Sequence, residues 1–399
     1  MLLCQTGWVP SVNPPRGMRD LLPAEKQKRE QLISLIRNTY AARGFQEIET
    51  PAVEAIERLS SGQGGDNEKL VFKVLKRGEE LEKAVAEGGE LADLGLRFDL
   101  TVPLTRYFAS NRGSLPRVLK AIQVGPVWRA ERPQKGRYRQ FLQCDIDILG
   151  EPSELAELEL ISASLAALDA IGLSQATIRV NDRRLLKKQL DAAGISDKQD
   201  QAMIAIDKLD KIGLEKVVAE IAESWGNEAA QKVSAWLSAD VSDWPEELSW
   251  VQKLGDDAAR LRYDPSLVRG MGYYTGAIFE IEYPGAESSI GGGGRYDEMV
   301  GRWAGTDTPA AGISLGIERI IELAEVGASA RKSLVVLIEG DFAGAMSLQE
   351  ELIAEGYTVR LERKAKNVKA QLEELAASGY EFFANQANTR QELEIRSLS

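Results

Sequence analysis

The sequence predicts an α+β protein with a small, separate α/β domain in its C-terminal part. Residues 118–128 and 139–149 alternate between apolar and polar side chains. The Arg-, Gly- and Pro-rich segment between them therefore predicts an antiparallel hairpin with a long, charged loop. Residues 183–260 are acidic and largely helical in pattern. From Ser333 onward the pattern becomes β-α-β-α-β, which is typical of a small α/β domain.

The N-terminal part begins with a helix and a short extended segment. Residues 24–43 predict a helix, and Gly44 follows as a residue suited to ending it. The apolar side chains on one face of this helix are Leu32, Ile36 and Tyr40. Glu47–Val53 is extended and contains Pro51. Because proline has no backbone N–H, this segment suits the edge of a sheet rather than its centre.

Further helices and strands follow the hairpin. Residues 153–171 predict a long helix ended by Gly172, and residues 276–283 predict a strand. The four glycines that follow are either a tight backbone passage or a strand facing a ligand. Ala311–Leu323 predicts a strand or turn that leads into a helix. The three strands expected in the C-terminal domain are Leu334–Ile338, Tyr357–Leu361 and Glu381–Ala384.

These elements suggest a chain of four segments. We expect residues 1–182 and 261–328 to form one core in two parts, interrupted by a helical insertion at residues 183–260. Residues 333–399 would form the C-terminal α/β domain, which stops near its fourth strand.

Composition excludes several kinds of chemistry. The chain has 399 residues, a net charge of −12, two cysteines and no histidine. Histidine-based catalytic triads, histidine general bases and histidine metal ligands are therefore excluded, and two cysteines cannot build a structural zinc site alone. The two distant cysteines fit a reducing cytoplasm. We expect no signal peptide and no transmembrane helix, because the sequence contains no long apolar run.

Two explanations for the missing histidines remain open, beside simple compositional drift. In the first, the functional site avoids side chains that titrate near neutrality, so that its charge stays fixed. In the second, the whole chain avoids histidine so that it can still be made when histidine for translation runs out.

Three arginines stand in unusual sequence surroundings. Arg129 ends an apolar strand, Arg269 precedes Gly270-Met271-Gly272, and Arg319 follows a segment of glycine and apolar residues. Each one, taken alone, is about equally well explained as a structural, ion-paired arginine. Guanidinium groups that converged on one site would instead bind phosphate and carboxylate oxygens. The sequence contains neither a P-loop nor a G-x-G-x-x-G motif.

Polar residues alternate in two strand segments. Asp99 and Thr101 share a face of one extended segment, and Gln143, Asp145 and Asp147 share a face of the second hairpin strand. Such a polar face is more often exposed to solvent than functional. Periodicity alone does not decide between the two.

Several motifs together resemble those of the class II histidyl-tRNA synthetase family, over essentially the whole chain. The segment from Arg129 to Asp147 resembles motif 2, and Ala311–Arg319 resembles motif 3. Arg269–Gly276 and Gly292–Asp297 resemble the histidine-specific motif and its glycine-rich companion, although Gly272 stands where the family often has Asp. The remaining matches are the N-terminal segment Gly17–Pro23, motif 1 at Gly44–Pro51 and the ammonium-binding segment Leu96–Thr101. The resemblance implies the class II antiparallel sheet flanked by helices.

The resemblance also implies roles for individual residues. Arg129 and Arg269 would be catalytic, with Arg269 on the α-phosphate where many class II enzymes place a metal. No metal ligand is assigned to the protein. The residues that would bind ATP are Arg129, Glu131, Arg137 and Arg319. Those that would bind histidine are Asp99, Thr101, Gln143, Asp147, Tyr273 and Tyr274. Those that would contact tRNA are Arg132 and Gln134.

The expected partners are histidine, ATP with Mg²⁺, the tRNA for histidine and a second copy of the chain. No membrane partner is expected. The alternative is a catalytically inactive paralogue that senses histidine as the regulatory subunit of ATP phosphoribosyltransferase. A third possibility is an RNA-binding or kinase-regulating domain that keeps only the fold. The intact arginines and the charged loop favour the enzyme.

Overall fold

A long antiparallel hairpin supplies two neighbouring strands of the main sheet in the computed structural model. Its strands are Leu119–Trp128 and Gln140–Leu149, in agreement with the prediction. They pair in unbroken register, from Leu119 opposite Leu149 to Trp128 opposite Gln140. The structure describes residues 12–60, 70–133, 136–239, 243–269, 272–324 and 332–398.

The chain divides into two compact units, which cover residues 1–20 with 29–325 and residues 21–28 with 326–399. The strands of the first unit, in chain order, are β1 (Gln46–Glu47), β2 (Val53–Ala55), β3 (Lys73–Leu75), β4 (Ala92–Leu96), β5 (Leu119–Trp128), β6 (Gln140–Leu149), β7 (Thr177–Asp182), β8 (Leu261–Tyr263), β9 (Ala277–Glu282), β10 (Gly291–Arg295) and β11 (Ala310–Gly316).

Eight of these strands form one sheet in the order β1-β5-β6-β11-β10-β9-β7-β8, and β2, β4 and β3 form a smaller one. Every pairing in the large sheet is antiparallel except at its two edges, where β1 runs parallel to β5 and β8 runs parallel to β7. Pro51 falls between β1 and β2, so the predicted extended segment is two short strands. Its first strand lies at the sheet edge, as expected.

Helices surround this sheet. They are α1 (Pro23–Ala41), α2 (Ile56–Ser60), α3 (Gly78–Glu87), α4 (Thr101–Asn111), α5 (Leu155–Ala170), α6 (Arg183–Ala192), α7 (Gln199–Ile206), α8 (Leu209–Ile212), α9 (Leu214–Trp225), α10 (Asn227–Leu237), α11 (Asp297–Ala304) and α12 (Ile317–Leu323). Segments of 3₁₀ helix occupy Arg112–Ser114 and Glu246–Arg260, the second interrupted at Gly255. In the described part of the chain, no helix is both long enough and apolar enough to cross a membrane.

The apolar side chains of the predicted helices are buried in the structure. Leu32, Ile36 and Tyr40 of α1 are fully buried. Helix α5 packs on β6 and β11 and is apolar on most of its surface, as expected for a helix buried on several sides. Gly172 follows α5 with a positive φ of 82° and ends it as predicted.

The second unit has its own sheet, with strands β12 (Ser333–Ile338), β13 (Thr358–Arg363), β14 (Phe382–Asn385) and β15 (Arg396–Ser397) in the order β13-β12-β14-β15. Helices α13 (Phe342–Ala354) and α14 (Val368–Ala377) complete it, with a 3₁₀ turn at Arg390–Glu392. The first three strands are parallel, as β-α-β-α-β predicts, and β15 pairs antiparallel with β14. Helices α6 to α10 fall in the predicted insertion; its boundaries as a module remain a prediction.

Candidate active site

Glycines on the central strands make room for functional side chains. A Cβ at Gly312 would lie 2.0 Å from Oδ1 of Asp147, and one at Gly292 would lie 2.7 Å from Nη1 of Arg269. At Gly293 the obstacle is backbone, because a Cβ would lie 1.9 Å from the carbonyl oxygen of Gly312. Gly292 and Gly293 are both tight backbone passages, since a Cβ at Gly292 would also lie 2.6 Å from the carbonyl oxygen of Phe279, and both line a cavity on this face of the sheet.

An acidic cavity opens on this face of the sheet. It is lined by all six residues predicted to bind histidine: Asp99, Thr101, Gln143, Asp147, Tyr273 and Tyr274. Three further lining side chains, Asp145, Tyr296 and Ser314, were not assigned a role from the sequence. Gln143, Asp145 and Asp147 are buried, with at most 7% of their surface exposed. Alternation had left open whether this polar face is exposed or functional; in the structure it is buried, because neighbouring strands and the tyrosines cover it.

Four acceptor atoms in this cavity have no hydrogen-bond partner among the described residues. They are Asp99 Oδ2, Gln143 Oε1, Asp145 Oδ1 and Asp147 Oδ2. Leaving a buried acceptor unpaired costs about 1–3 kcal/mol, and more if it is charged. A ligand that brought several N–H donors and a positive charge would satisfy them together.

The other atoms of these side chains are held firmly. Oδ1 of Asp99 accepts the N–H of Val102 at 3.0 Å, at the start of α4. Oδ1 of Asp147 accepts the hydroxyl of Tyr296 at 2.6 Å, and Nε2 of Gln143 donates to Oγ of Ser314 at 2.6 Å. The free acceptors are thus preorganised rather than mobile.

Burial raises the pKa of the three carboxyl groups of Asp99, Asp145 and Asp147. It raises the pKa of Asp99 to about 6, against the opposing effects of the Val102 N–H and the Arg129 charge. It raises the pKa of Asp147 to about 7, although the Tyr296 hydroxyl lowers that pKa. Burial and the charge of Asp147 raise the pKa of Asp145 well above its usual range. A site without histidine therefore still titrates near neutrality, which contradicts the idea of a fixed site charge.

A basic cavity adjoins the acidic one. The charged residues that line it include every residue predicted to be catalytic or to bind ATP, and also Glu318. They are Arg129, Glu131, Arg137, Arg269, Glu318 and Arg319. Burial, followed by the charges of Arg137, Arg129 and Arg269, lowers the pKa of Arg319. The guanidinium groups therefore repel one another, and an anion bound between them would relieve this repulsion.

The arginines are positioned by different partners. Arg129 donates from Nε to the carbonyl oxygen of Phe98 at 3.0 Å, and its guanidinium lies 5.0 Å from the ring centre of Phe141. Arg319 donates to the carbonyl oxygen of Ser289. Nη1 of Arg269 lies 2.9 Å from Oε2 of Glu280. The backbone of Arg269 has a φ of 59°, which is unusual for a residue with a side chain and is often found at functional sites.

Arg129 and Arg269 line both cavities, together with Gln143, Gly292 and Ser314. A ligand in the acidic cavity and a ligand in the basic cavity would therefore meet between two guanidinium groups. Such a junction suits a reaction between two molecules that both bring negative charge to the point of contact.

Of the predicted residues, Arg132 lies outside this arrangement. Arg132 is exposed on the loop between β5 and β6 and does not line either cavity. Gln134 lies outside the described residues. Two of the three unassigned lining residues, Tyr296 and Asp145, stand in segments with a recognisable pattern. Tyr296 lies two residues after the glycine run, and Asp145 alternates with Asp147.

A mostly antiparallel sheet with helices around it and two adjoining cavities of opposite charge has the architecture of a class II synthetase. The family model described as histidyl-tRNA synthetase matches residues 17–320. The chain is 51% identical to a histidine–tRNA ligase from Leifsonia xyli subsp. xyli, over 94% of this chain and 95% of that one. It is 40% identical to a probable histidine–tRNA ligase from Tropheryma whipplei, over 93% and 94% of the two chains. The chain belongs to the histidyl-tRNA synthetase family.

Solved structures agree on the fold. A histidyl-tRNA synthetase from Nostoc superposes with a TM-score of 0.76 at 25% identity, over 98% of this chain and 95% of that one. An ATP phosphoribosyltransferase regulatory subunit/histidyl-tRNA synthetase from Bacillus halodurans superposes with a TM-score of 0.73 at 20% identity, over 94% and 97%. The second likeness concerns the fold alone.

The Tyr296 hydroxyl provides a test of the acidic cavity that requires no substrate. Because this hydroxyl stabilises the ionised form of Asp147, Tyr296→Phe should raise the pKa of Asp147 further above its ordinary value. The measurement is a ¹³C NMR titration of labelled aspartate side chains. Tyr273→Phe is the matched control: Tyr273 lowers the pKa of Asp99, so its loss should raise the pKa of Asp99 instead of that of Asp147. Identical titrations in wild type and Tyr296→Phe would contradict this account.

Proposed function

We propose that the chain activates histidine with ATP and transfers it to the tRNA for histidine. The observation that carries this proposal is the junction of the two cavities. An acidic pocket with unpaired acceptors adjoins a basic pocket, and Arg129 and Arg269 line both. The family membership and the 51% identity to a histidine–tRNA ligase support it.

Histidine fits the acidic cavity because its N–H donors and its positive charge match the unpaired acceptors there. Its ammonium group brings three N–H donors and one positive charge, which Asp99, Thr101 and Gln143 would accept. The ring would bring its N–H to Asp147, with Tyr273 and Tyr274 as further partners beside it. A cavity whose buried acceptors need N–H donors discriminates strongly against an isostere that lacks them, because its acceptors then stay unpaired.

ATP fits the basic cavity. Glu131 would accept the adenine amino group, Arg137 and Arg319 would bind the outer phosphates, and Arg129 and Arg269 would hold the α-phosphate at the junction. Mg²⁺ would arrive with ATP as part of the substrate, since it prefers phosphate oxygens and water as ligands. Among the described residues, no three His, Cys, Asp or Glu side chains form a group that could hold a metal ion.

The chemistry follows from this placement. A carboxylate oxygen of histidine attacks the α-phosphorus; the new O–P bond forms as the bond to the β-phosphate oxygen breaks, and pyrophosphate leaves. Both partners are anionic, so Arg129 and Arg269 reduce their repulsion and stabilise the charge on the α-phosphate in the transition state. In the second step a ribose hydroxyl at the tRNA end attacks the adenylate carbonyl and AMP leaves. Arg132 and Gln134 would contact that end of the tRNA.

We further propose that the protein works in the cytoplasm as a homodimer. The absence of disulfide patterning fits a reducing compartment. The match of Gly44–Pro51 to the dimer-forming motif of the family supports a dimer.

Two assays separate the proposal from its alternative. A synthetase catalyses histidine-dependent exchange of pyrophosphate into ATP and then charges tRNA. A histidine-sensing regulatory subunit would bind histidine without either activity. That alternative needs the acidic cavity but leaves the basic cavity without a purpose. Histidine binding without exchange would overturn the proposal.

Arg269→Ala tests the catalytic junction. Removing one preorganised donor from a developing negative charge typically lowers the rate by about 10²–10³. Exchange at saturating ATP should fall by this factor while the thermal melting temperature stays near that of wild type. The control is Arg260→Ala, since Arg260 is a similarly half-buried arginine that pairs with Asp169 at 2.9 Å, outside the cavities. A loss explained by unfolding would show that Arg269 is structural only.

Asp99 should give histidine binding a pH dependence. The substrate ammonium binds the ionised form of Asp99, whose pKa is about 6. The KM for histidine should therefore rise as the pH falls through about 6. Asp99→Asn should raise this KM about 10- to 100-fold, as expected for losing a hydrogen bond to a charged group. It should also remove this component of the pH profile. The titration of histidine itself is common to both proteins, so parallel profiles would count against the assignment.

The charged loop should matter for transfer and not for activation. The double variant Arg132→Ala, Gln134→Ala should keep histidine-dependent pyrophosphate exchange and lose aminoacylation of tRNA, because neither residue is assigned to histidine or ATP. Both activities are measured on the same preparation, so exchange serves as the internal control. An equal loss of exchange and aminoacylation would refute this division of labour.

A further inference from the structure

Arg269 stands at the end of a series of alternating charges that crosses three neighbouring strands. Gly292 of β10 pairs with Glu280 of β9, and Glu280 pairs with Arg179 of β7. Directly paired residues project on the same face of a sheet. Arg269 packs over Gly292, which has no side chain, and so its guanidinium reaches Glu280.

Glu280 joins the two arginines through its two oxygens. Oε2 accepts from Nη1 of Arg269 at 2.9 Å, and Oε1 accepts from Nη1 of Arg179 at 3.2 Å. The carboxylate of Glu280 is therefore shared between an arginine of the site and an arginine outside it. A stronger attraction between Arg179 and Glu280 would therefore weaken the contact between Glu280 and Arg269.

Arg179 continues this series into the helical segment. Its side chain is 7% exposed, and its Nη1 also donates to Oδ2 of Asp210 at 3.0 Å. Asp210 lies on α8 and is 70% exposed. The same guanidinium donates from Nε to Asp264 at 2.7 Å, and Nη1 also lies 3.4 Å from Glu282. Asp210 is the member of this set that comes from residues 183–260.

We propose that Asp210 is a positioning residue for the adenylation step, acting through Arg179 and Glu280 on Arg269. This inference rests on the proposed catalytic role of Arg269. Nη1 of Arg179 is shared among Asp210, Glu280 and Glu282, so removing the charge of Asp210 draws Glu280 more strongly towards Arg179. Arg269 then loses part of the contact that fixes its guanidinium.

The backbone of Arg269 makes this contact important. A residue with a side chain at a φ of 59° keeps that conformation only when its surroundings hold it there. A small misplacement of a catalytic group costs a large factor in rate, about 10²-fold for roughly 1 Å. The helical segment would thus contribute to catalysis without lining either cavity.

The test compares two exposed carboxylates of the helical segment. Asp210→Asn should lower kcat of pyrophosphate exchange about 3- to 10-fold and leave the KM for histidine unchanged. Asp200→Asn is the matched control. Asp200 is 79% exposed and also pairs at 3.0 Å with a buried arginine, Arg183, but Arg183 does not pair with Glu280. It should behave as wild type, and all variants should melt near the wild-type temperature.

A second comparison separates positioning from a general structural effect. Glu280→Gln should lower kcat more than Glu282→Gln, because Glu282 contacts Arg179 and Arg262 but not Arg269. In an Arg269→Ala background, Asp210→Asn should have no further effect on kcat. Asp210→Glu should restore activity, because it keeps the charge.

The outcomes are distinguishable. If Arg269→Ala keeps full exchange activity, the catalytic assignment of Arg269 fails, and the inference fails with it. If Arg269→Ala is impaired but Asp210→Asn matches Asp200→Asn, the proposed function stands and the role of Asp210 is overturned. An additive effect of Asp210→Asn on Arg269→Ala would also overturn it, since the effect would then not pass through Arg269.

Discussion

The Arg129 guanidinium is the charge on which both cavities depend. It opposes the rise in the pKa of Asp99 and Asp145 on one side, and with its neighbours it lowers the pKa of Arg319 on the other. This fixed positive charge favours the ionised forms of Asp99 and Asp145 and so offsets part of the effect of their burial. Its Nε is bound to a carbonyl oxygen and its face to an aromatic ring, which orients the group without neutralising it. The charge therefore remains available to a ligand.

Placing these charges so close together requires strands without side chains. Gly312 lies opposite Asp147, and Gly292 lies opposite Glu280. A methyl group at either position would collide with a charged group of the site, at 2.0 Å from Asp147 Oδ1 or 2.7 Å from Arg269 Nη1. The same absence of a side chain at Gly292 lets Arg269 reach Glu280, and so lets the site communicate with Arg179. These glycines therefore determine how closely the charged groups can approach the sheet, as well as how closely the strands can pack.

Local pattern predicted the elements well, because the apolar faces of α1 and α5 and the alternation of the hairpin are properties of short segments. Motif resemblance brought together the residues that line both cavities. Local pattern could not decide the environment of Gln143, Asp145 and Asp147, because what buries that face comes from β10, β11 and the tyrosines, far away in sequence. Glu280 was also missed. Its importance comes from the register of three strands, and that register cannot be derived from alternation within one strand.

The missing histidines can be reconsidered in the light of these charges. If the site avoided histidine to keep its charge constant, its other groups should be insensitive to pH near neutrality. Instead, burial brings the pKa of Asp99 to about 6 and that of Asp147 to about 7, which is the range in which histidine itself titrates. Avoiding histidine therefore gives the pocket no constant charge. A constraint from the site would also leave exposed positions free, yet the helical segment at residues 183–260 contains no histidine either. We therefore favour a constraint on the synthesis of the whole chain. A protein that restores the pool of charged tRNA for histidine gains from not needing that pool for its own translation.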